Sequence, residues 1–339
     1  MPGSGMYTSG DIVLQRLYNE IVRMVDMDAN TPNPFRSLLC RDTTKEKVRI
    51  TQRQQRFYKG SEGASPDHQK LGWADMTLPD LAFYELGSAA SATAIEQGMT
   101  AEEARDMAID ALGADFRLQQ QLVIEAVMTS GAFWDANMTV APPPYKISTF
   151  ATSHNHYTGV NQSGVPTLAN ITAMKHNIIE HGYGTTDNGG ALVCFLNSGN
   201  AESIENAAEW KTTSNYVGTP ILETLQKSGL WPSGIAGAWM QAAGIPLIVE
   251  DWVPANYLVM LDLGVPDKMC RWRLPDTDPS FGINTKGLIM ETGADKFKWL
   301  ITRYRRWGSC MVVHRGAGAV TYLSSAQSAY VSPTGFQTD

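Results

Sequence analysis

The longest regular pattern in the chain is a series of apolar residues at helical spacing between residues 100 and 131. Thr100 and Glu103 have the spacing of a capping box, in which each side chain bonds the other residue's backbone N–H. Gly131 is a residue type that commonly ends a helix. The apolar positions form two adjoining stripes: Met107, Ala111, Leu118, Leu122 and Ala126, and Ala108, Leu112, Phe116, Val123 and Val127. The pattern predicts one helix, about 45 Å long, along which sheets pack.

A shorter amphipathic pattern occupies residues 11–26, where Leu14, Leu17 and Ile21 fall on one helical face. The neighbouring sequence offers little apolar surface to cover that face. We therefore expect this helix to dock outside its own local fold, for example on a partner subunit. Residues 31–39 contain two prolines and are predicted to be an extended linker.

The next segment is strongly basic, and its polar and apolar residues alternate as in a β-strand. Residues 47–51 alternate polar and apolar side chains, and residues 36–59 hold eight basic and two acidic side chains, a net charge of +6. Turn-rich sequence follows at 61–72. The pattern favours a long projecting hairpin, which a neighbour must support because isolated two-stranded hairpins are marginally stable. A solvated, irregular loop is the alternative.

The remaining segments predict a mixed α/β region. Residues 77–98 begin with Thr77, Pro79 and Asp80, a helix-start signal, and are rich in small residues, so a helix is predicted there. From residue 148 onward helices and strands are mixed. Helices are predicted at 168–181 and 201–210, and strands at 190–196, 245–252, 257–263, 297–305, 309–313 and 317–323. A tight turn at 254–256 joins the second and third of these strands.

Composition narrows the function classes. The chain has 339 residues and a formal net charge of −7, which disfavours nucleic-acid binding over its whole surface. Its four cysteines are scattered without a C-x-x-C pair, which is typical of reduced, buried thiols. The first residues lack the layout of a secretory signal, and no apolar run has the length of a membrane span. These observations predict a soluble protein of a reducing cytoplasm.

A search for catalytic motifs finds no G-x-S-x-G elbow, phosphate-binding loop or H-E-x-x-H sequence. Asp276 and Asp278 could in principle bind a divalent ion, but prolines flank them, and aspartates in such a sequence more commonly form a turn. His154 and His156 would share one face of a strand, and with His176 or His181 they could bind zinc.

The competing interpretation of these histidines is a polar stretch entering a loop, with exposed or core-edge imidazoles. No acidic residue lies nearby in the sequence to act as a base or to orient a ligand. We therefore predict no catalytic residue, no metal site and no cofactor. A zinc-dependent hydrolase using His154 and His156 is kept as a minor alternative.

The second half of the chain contains a sequence pattern that resembles one known family. Residues 244–249 read GIPLIV, Pro254 follows, and residues 257–264 read YLVMLDLG. This run resembles a strand–turn–strand signature of tailed-bacteriophage major capsid proteins, which have the Hong Kong 97-type fold. Residues 299–308, WLITRYRRWG, and a closing strand pair around 312–323 follow in the same order as in that family.

The resemblance implies an α+β Hong Kong 97-like capsid fold built from four regions. These are an N-terminal arm (1–38), an extended β-hairpin loop (39–76), a peripheral domain (77–154 and 266–339) with the spine helix at 100–131, and an axial domain (155–265). In such proteins the arm and the loop reach over neighbouring subunits. The residues expected at these contacts are Leu14, Leu17, Ile21, Arg49, Arg53, Arg56 and Lys59.

The same resemblance implies a structural, non-enzymatic subunit that forms pentamers and hexamers of an icosahedral virion shell. The shell would enclose double-stranded DNA, contacted non-specifically, and assemble in the host bacterial cytoplasm without a membrane. A separate scaffolding protein, a portal and a cement protein are the expected partners. Lys59 and Lys70 lie in the loop, but no matching asparagine and acid are found, so we predict no covalent crosslink. An encapsulin-type compartment shell is the nearest alternative.

Overall fold

The computed structural model of the chain describes residues 23, 33–51, 73–91, 101–145, 148–161, 166–185, 190–205, 211–212, 240–242, 245–250, 253–276, 287–294, 299–324 and 329–334. Within these ranges the helices are α1 (Pro34–Leu39), α2 (Ala101–Met128), α3 (Leu168–Ile179) and α4 (Ser198–Glu205). The strands are β1 (Cys40–Thr43), β2 (Lys47–Thr51), β3 (Trp73–Thr77), β4 (Ala82–Ser91), β5 (Tyr157–Asn161), β6 (Leu192–Leu196), β7 (Lys211–Thr212), β8 (Met240–Ala242), β9 (Ile245–Val249), β10 (Tyr257–Asp262), β11 (Cys270–Arg273), β12 (Ile289–Ala294), β13 (Trp299–Val312) and β14 (Gly318–Ser324).

A seven-stranded mixed sheet lies at the centre of the fold, in the order β5-β14-β10-β6-β9-β8-β7. Every residue of β6 and β10 is buried, because the sheet has an apolar core on each face. One core, which includes Phe195 and Val259, packs against the C-terminal half of α2. The other, which includes Met260, packs against α3. Burial on both faces explains why these strands are continuous apolar runs rather than alternating ones.

The strands β9 and β10 are consecutive in the chain, as predicted, but they are not hydrogen-bonded to each other. β6 lies between them, parallel to β9 and antiparallel to β10. Asn256, in the connection between them, has a positive φ of 68°, a conformation that Asn tolerates better than most residues. The predicted strand–turn–strand unit is therefore split by a strand from residues 192–196, which the local pattern could not show.

The buried carboxylate of Asp262 organises the end of β10. It accepts hydrogen bonds from three backbone N–H groups, those of Gly184 at 2.7 Å, Ala191 at 2.8 Å and Gly264 at 2.9 Å. These donors belong to the segment after α3, the approach to β6 and the turn after β10. Asp262 is the acidic residue of the signature at 257–264, and its position shows a physical reason for an acid there, since it satisfies three donors at once.

A second sheet is built around β13, which the sequence had predicted as two separate strands. In the structure, residues 299–312 form one strand of 14 residues. Its first part pairs with β4 on one side and β12 on the other, and its last part pairs with β11, which is followed by β1. Gly308 is the apparent break in the sequence pattern. It lies within the strand, and the ring of Trp272 occupies the space where a Cβ atom would be.

The predicted helix at 77–98 is wrong over the described residues. Residues 73–77 and 82–91 are strands, and residues 92–98 lie outside the described ranges. β4 pairs with β13 over ten residues, which places Phe83 opposite Trp307 and Glu85 opposite Arg305. The aromatic rings of Phe83 and Trp307 are 4.7 Å apart. Cross-strand pairs of this kind, formed with a segment more than 200 residues away, outweigh local helix propensity.

The predicted extended linker at 31–39 also differs, because residues 34–39 form the short helix α1. The Asn33 side chain accepts a hydrogen bond from the backbone N–H of Arg36 at 3.0 Å, and Pro34 occupies the first helical turn. Phe35 and Leu39 are then buried in the core beneath α2.

The long helix is confirmed at residues 101–128, but its buried face differs from the predicted stripes. Phe116, predicted to adjoin the apolar stripe, is 41% exposed, whereas Asp115 and Gln119 are buried. Arg306 of β13 donates two hydrogen bonds to the carboxylate of Asp115, one of them 2.5 Å long. Gln119 donates to the same carboxylate at 2.8 Å and accepts from Arg36 at 3.0 Å. This polar network joins α2 to β13 and α1.

The C-terminal end of α2 is capped by two tyrosines. The hydroxyl of Tyr157 donates to the carbonyl of Val127 at 2.8 Å, and that of Tyr330 donates to Met128 at 2.5 Å. Carbonyls in the last turn of a helix have no intrahelical partner, so these bonds satisfy groups that burial would otherwise leave unpaired. Gly131, at a φ of +94°, then allows the chain to reverse.

The strand predicted at 47–51 is present as β2, which pairs antiparallel with β3. Residues 52–72, between the two strands, lie outside the described ranges, as does the amphipathic segment at 11–26 apart from Arg23. Within the described part of the chain, no helix combines the length and the apolar character needed to cross a bilayer.

Gly308 provides a test of how tightly the second sheet is packed. A Cβ atom at this position would lie 2.6 Å from a ring carbon of Trp272. We expect Gly308→Ala to lower the free energy of unfolding by about 1–3 kcal/mol, as measured by urea titration of the unassembled subunit. Gly87, also in a strand, has open space at its Cβ position, so Gly87→Ala is the matched control. Equal stabilities of the two variants would contradict the predicted clash.

Candidate functional site

The described part of the chain brings possible metal-ligand atoms together in two places, and one of them is a group of three histidines. His154 and His156 lie in the turn before β5, and His181 follows the end of α3. The Nε2 atom of His154 is 3.1 Å from that of His156 and 2.9 Å from that of His181. The ring centroids are separated by 5.0, 4.9 and 4.9 Å, which is close to an equilateral triangle. We call these residues the histidine cluster.

Backbone and ring contacts fix the orientation of these imidazoles. The Nδ1 atom of His156 lies 2.6 Å from the carbonyl oxygen of Gly318 in β14. A carbonyl can only accept a hydrogen bond, so Nδ1 carries the proton and Nε2 presents a lone pair. The ring of Phe150 stacks on that of His181 at 4.2 Å and contacts that of His154 at 4.9 Å.

Burial keeps the cluster uncharged at neutral pH. His156 is fully buried, and desolvation lowers its pKa to about 3 despite the hydrogen bond to Gly318. Desolvation and the neighbouring imidazoles lower the pKa of His181 to about 2. Desolvation also lowers the pKa of His154, against the opposing influence of Glu180. Neutral imidazole is the form that binds metal ions.

The sequence left open whether His176 or His181 lies beside His154 and His156. His181 joins His154 and His156, whereas His176 lies on an exposed face of α3, outside the group. The strand predicted for His154 and His156 begins only at Tyr157, but their two-residue spacing still brings the first pair together. The third member depended on how α3 packs, which periodicity does not specify.

A second cluster, of three thiols, was missed by sequence analysis. Cys40, Cys270 and Cys310 lie on the adjacent strands β1, β11 and β13, with the Sγ atoms of Cys40 and Cys310 3.7 Å apart. Burial raises the pKa of the Cys40 thiol, so the protonated form is favoured. All four cysteines of the chain are free. No linear spacing signals this cluster, because its members are 40 to 270 residues apart in the sequence.

Of the residues predicted to contact neighbouring subunits, Arg49 is the one that the structure describes. It lies on β2, is largely exposed, and donates hydrogen bonds to Asp75 of β3 at 2.8 and 3.2 Å. This bond lowers the pKa of Asp75. The remaining predicted contacts lie outside the described residues: Leu14, Leu17, Ile21, Arg53, Arg56 and Lys59.

The first half of α2 presents an exposed face of mixed character. Glu103, Asp106 and Asp110 are exposed and separated by three and four residues, so they share one side of the helix. Ile109 and Phe116, separated by two turns, are 47% and 41% exposed. The sequence stripes had placed Phe116 against the core, so this exposed apolar surface was not predicted.

Comparison with known proteins identifies the fold. No protein-family model and no curated protein matches the sequence. A solved structure from Mycobacterium phage Patience is 19% identical, and the match covers 98% of this chain and 96% of that one with a TM-score of 0.62. The capsid asymmetric unit of cyanophage A-1(L) matches at 13% identity, 87% and 93% coverage and a TM-score of 0.54. The mature capsid of bacteriophage PhiM1 matches at 12% identity, 86% and 87% coverage and a TM-score of 0.52.

These matches extend over most of each chain, so they concern the whole architecture rather than one shared motif. They agree with the resemblance carried by residues 244–323, and the mixed α+β class predicted from the sequence is confirmed. The chain has the fold of tailed-bacteriophage major capsid proteins, the Hong Kong 97-type fold.

Proposed function

We propose that this protein is the major capsid subunit of a tailed bacteriophage, a structural protein that assembles into an icosahedral shell around double-stranded DNA. The observation that carries the proposal is the similarity over 98% of the chain to a phage structure, together with similarity to two phage capsids. The assignment of an arm (1–38), an extended loop (39–76), a peripheral domain (77–154 and 266–339) and an axial domain (155–265) is part of this proposal.

Exposed apolar surface on one subunit supports self-assembly. β4 pairs with β13 along one edge, and no described strand pairs with its other edge. Phe83 and Leu86 of this strand are each 42% exposed. Long apolar edge strands and exposed aromatic residues are avoided in soluble monomers because they promote association. In a shell, neighbouring copies would cover this edge and the exposed Ile109 and Phe116 of α2.

Charge complementarity suggests how the hairpin engages a neighbour. Residues 36–59 carry a net charge of +6, so the rest of the chain carries −13, because the whole is −7. The acidic side of α2, formed by Glu103, Asp106 and Asp110, is exposed. We propose that Arg49, Arg53, Arg56 and Lys59 of one subunit lie against this side of α2 on the next.

The remaining partners follow from the same function. Leu14, Leu17 and Ile21 of the arm would pack on an adjacent subunit. A separate scaffolding protein would guide assembly in the host bacterial cytoplasm, a portal would occupy one vertex, and a cement protein would bind the finished shell. DNA contacts would be non-specific, and the negative overall charge disfavours them over most of the surface.

The function is tested by expressing the full chain and measuring particle size by sedimentation and electron microscopy, with and without candidate scaffolding proteins. Closed shells, or rings of five and six subunits that close into shells, are expected. Shells that contain protein cargo rather than DNA when isolated from their natural source would instead indicate an encapsulin-type compartment. A monomer or dimer that never assembles would overturn the proposal.

Charge reversal in the hairpin should block assembly without unfolding the subunit. We expect Arg53→Glu with Arg56→Glu to reduce the assembled fraction about tenfold or more, since exposed ion pairs contribute about 0.2–1 kcal/mol each and every subunit loses two. The assembled fraction is measured by sedimentation, and thermal unfolding of the free subunit should be unchanged.

Two further variants locate the partner of the hairpin. Lys175→Glu with Lys268→Glu carries the same charge change outside both the hairpin and α2, and should assemble as the wild type does. Asp106→Arg with Asp110→Arg on α2 should restore assembly when combined with the hairpin variant. Loss of assembly in the first variant, or no rescue by the second, would contradict the proposed contact.

A further inference from the structure

We propose that His154, His156 and His181 form a binding site for one late first-row divalent metal ion, most readily Zn²⁺. Such an ion would join the turn before β5 to the end of α3. The inference concerns the folded subunit and does not depend on the proposed shell function.

The positions of the ring nitrogens fit a metal-binding geometry. Zn–N bonds of about 2.0–2.1 Å at tetrahedral angles place neighbouring ligand nitrogens about 3.3–3.4 Å apart. The Nε2 atom of His154 lies 3.1 and 2.9 Å from those of the other two histidines. Side-chain shifts of a few tenths of an ångström would bring these two distances to the values of a zinc site, and the ligand atoms of all three residues lie within 4.8 Å of one another. The nearly equal separations of the ring centroids arrange the three rings around one point, and water would be the fourth ligand of a tetrahedral ion.

Without an ion, the imidazole protons cannot form a hydrogen bond in every one of the close nitrogen–nitrogen contacts of the cluster. Nδ1 of His156 donates to Gly318, so its Nε2 has no proton. A proton on Nε2 of His154 can be directed at His156 or at His181, but not fully at both. If His181 donates to His154 instead, two lone pairs face each other between His154 and His156. A metal ion removes this conflict because it binds all three lone pairs.

The surroundings are those of a supported metal site. The Nδ1–carbonyl bond of His156 fixes the tautomer and aims Nε2 at the centre, which is the usual role of a group behind a ligating histidine. The backbone of His156 is anchored by bonds to Trp134 at 2.8 Å and Val320 at 2.9 Å. Phe150 stacks on His181, so the ring has little freedom to turn away.

The ligand set selects the class of ion. Three neutral imidazoles suit zinc, copper and nickel, whereas calcium and magnesium require oxygen ligands. The thiol cluster of Cys40, Cys270 and Cys310 is the competing site for a soft metal ion. A metal ion there must displace thiol protons, whereas neutral imidazoles bind without losing one.

The test uses the full chain as unassembled subunits, stripped with a chelator and titrated with Zn²⁺ alone. Calorimetry and elemental analysis should give one ion per chain in the wild type. His154→Gln removes a half-buried ligand and should weaken binding by more than the ~100-fold that loss of a supporting group costs. His176→Gln is the matched control on the exposed face of α3 and should bind as the wild type does. Zn²⁺ should raise the melting temperature of the wild type and of His176→Gln, but not of His154→Gln.

A cobalt spectrum distinguishes the two clusters without any substitution. Co²⁺ bound by imidazoles gives visible d–d bands without the near-ultraviolet charge-transfer band of a thiolate ligand. We expect the wild type to show d–d bands alone and Cys310→Ser to bind with full affinity. The proposal is overturned if the wild type binds no Zn²⁺, if His154→Gln binds as tightly as the wild type, or if binding is lost in Cys310→Ser.

Discussion

Asp115→Ala is expected to lower the free energy of unfolding by about 3–5 kcal/mol, because it leaves the guanidinium of Arg306 buried without its partner. Both side chains are at most 4% exposed, and Gln119 loses its acceptor in the same variant. The measurement is urea unfolding of the unassembled subunit, followed by circular dichroism.

The matched control is Asp110→Ala, an exposed aspartate in the same helix. Alanine has the higher helix propensity, so this variant should be unchanged or slightly more stable. A double variant, Asp115→Leu with Arg306→Met, should be more stable than Asp115→Ala, since removing both charges avoids the unpaired one. If Asp115→Ala unfolds at the same urea concentration as Asp110→Ala, the buried pair does not hold α2 on β13.

Asp262→Ala is the second change with a large expected effect. It leaves the N–H groups of Gly184, Ala191 and Gly264 without their acceptor, at about 1–3 kcal/mol for each donor that water does not reach. We therefore expect a loss of more than about 3 kcal/mol in the free energy of unfolding, measured by the same urea titration.

A graded series makes this prediction specific to the three donors. In Asp262→Asn the remaining carbonyl oxygen can keep the bonds from Ala191 and Gly264, which both reach Oδ1, and lose the one from Gly184. Its stability should fall between those of the wild type and Asp262→Ala. Asp276→Ala removes an exposed carboxylate and should have no effect. Equal stability of Asp262→Asn and Asp262→Ala would show that the hydrogen bonds are not the cause.

These two acids illustrate different kinds of information in a sequence. Asp262 stands in a recognisable signature, but its role as the acceptor of three backbone hydrogen bonds was not predicted. Asp115 stands in no signature, between apolar residues of a helix whose stripes appeared to leave it outside. Its burial depends on Arg306, 191 residues away, and on Gln119 one turn further along the helix. A buried charge is tolerable only with such a partner, and local periodicity contains no information about partners.

The histidine cluster likewise combines a pairing that the local sequence predicted with one that only the tertiary structure decided. The two-residue spacing predicted the pairing of His154 with His156 on a strand, whereas the structure brings them together in the turn before β5. The choice of His181 over His176 was made by the packing of α3 against the seven-stranded sheet. The thiol cluster lay wholly beyond the sequence, since adjacent strands from three distant segments bring Cys40, Cys270 and Cys310 together.

The sequence by itself determined the long helix at 101–128, the helix at 168–179, the buried strands at 192–196, 245–249 and 257–262, and the resemblance to phage capsid proteins. The helices and strands rest on hydrophobic periodicity or continuous apolar runs, which are local properties, and the resemblance rests on the signature at 244–264. Only the tertiary structure decided that residues 82–91 form a strand, that β6 separates β9 from β10, and that residues 299–312 form one strand. Strand pairing is the reason. It joins distant segments through backbone groups that every residue possesses, so side-chain patterns alone do not specify the partner.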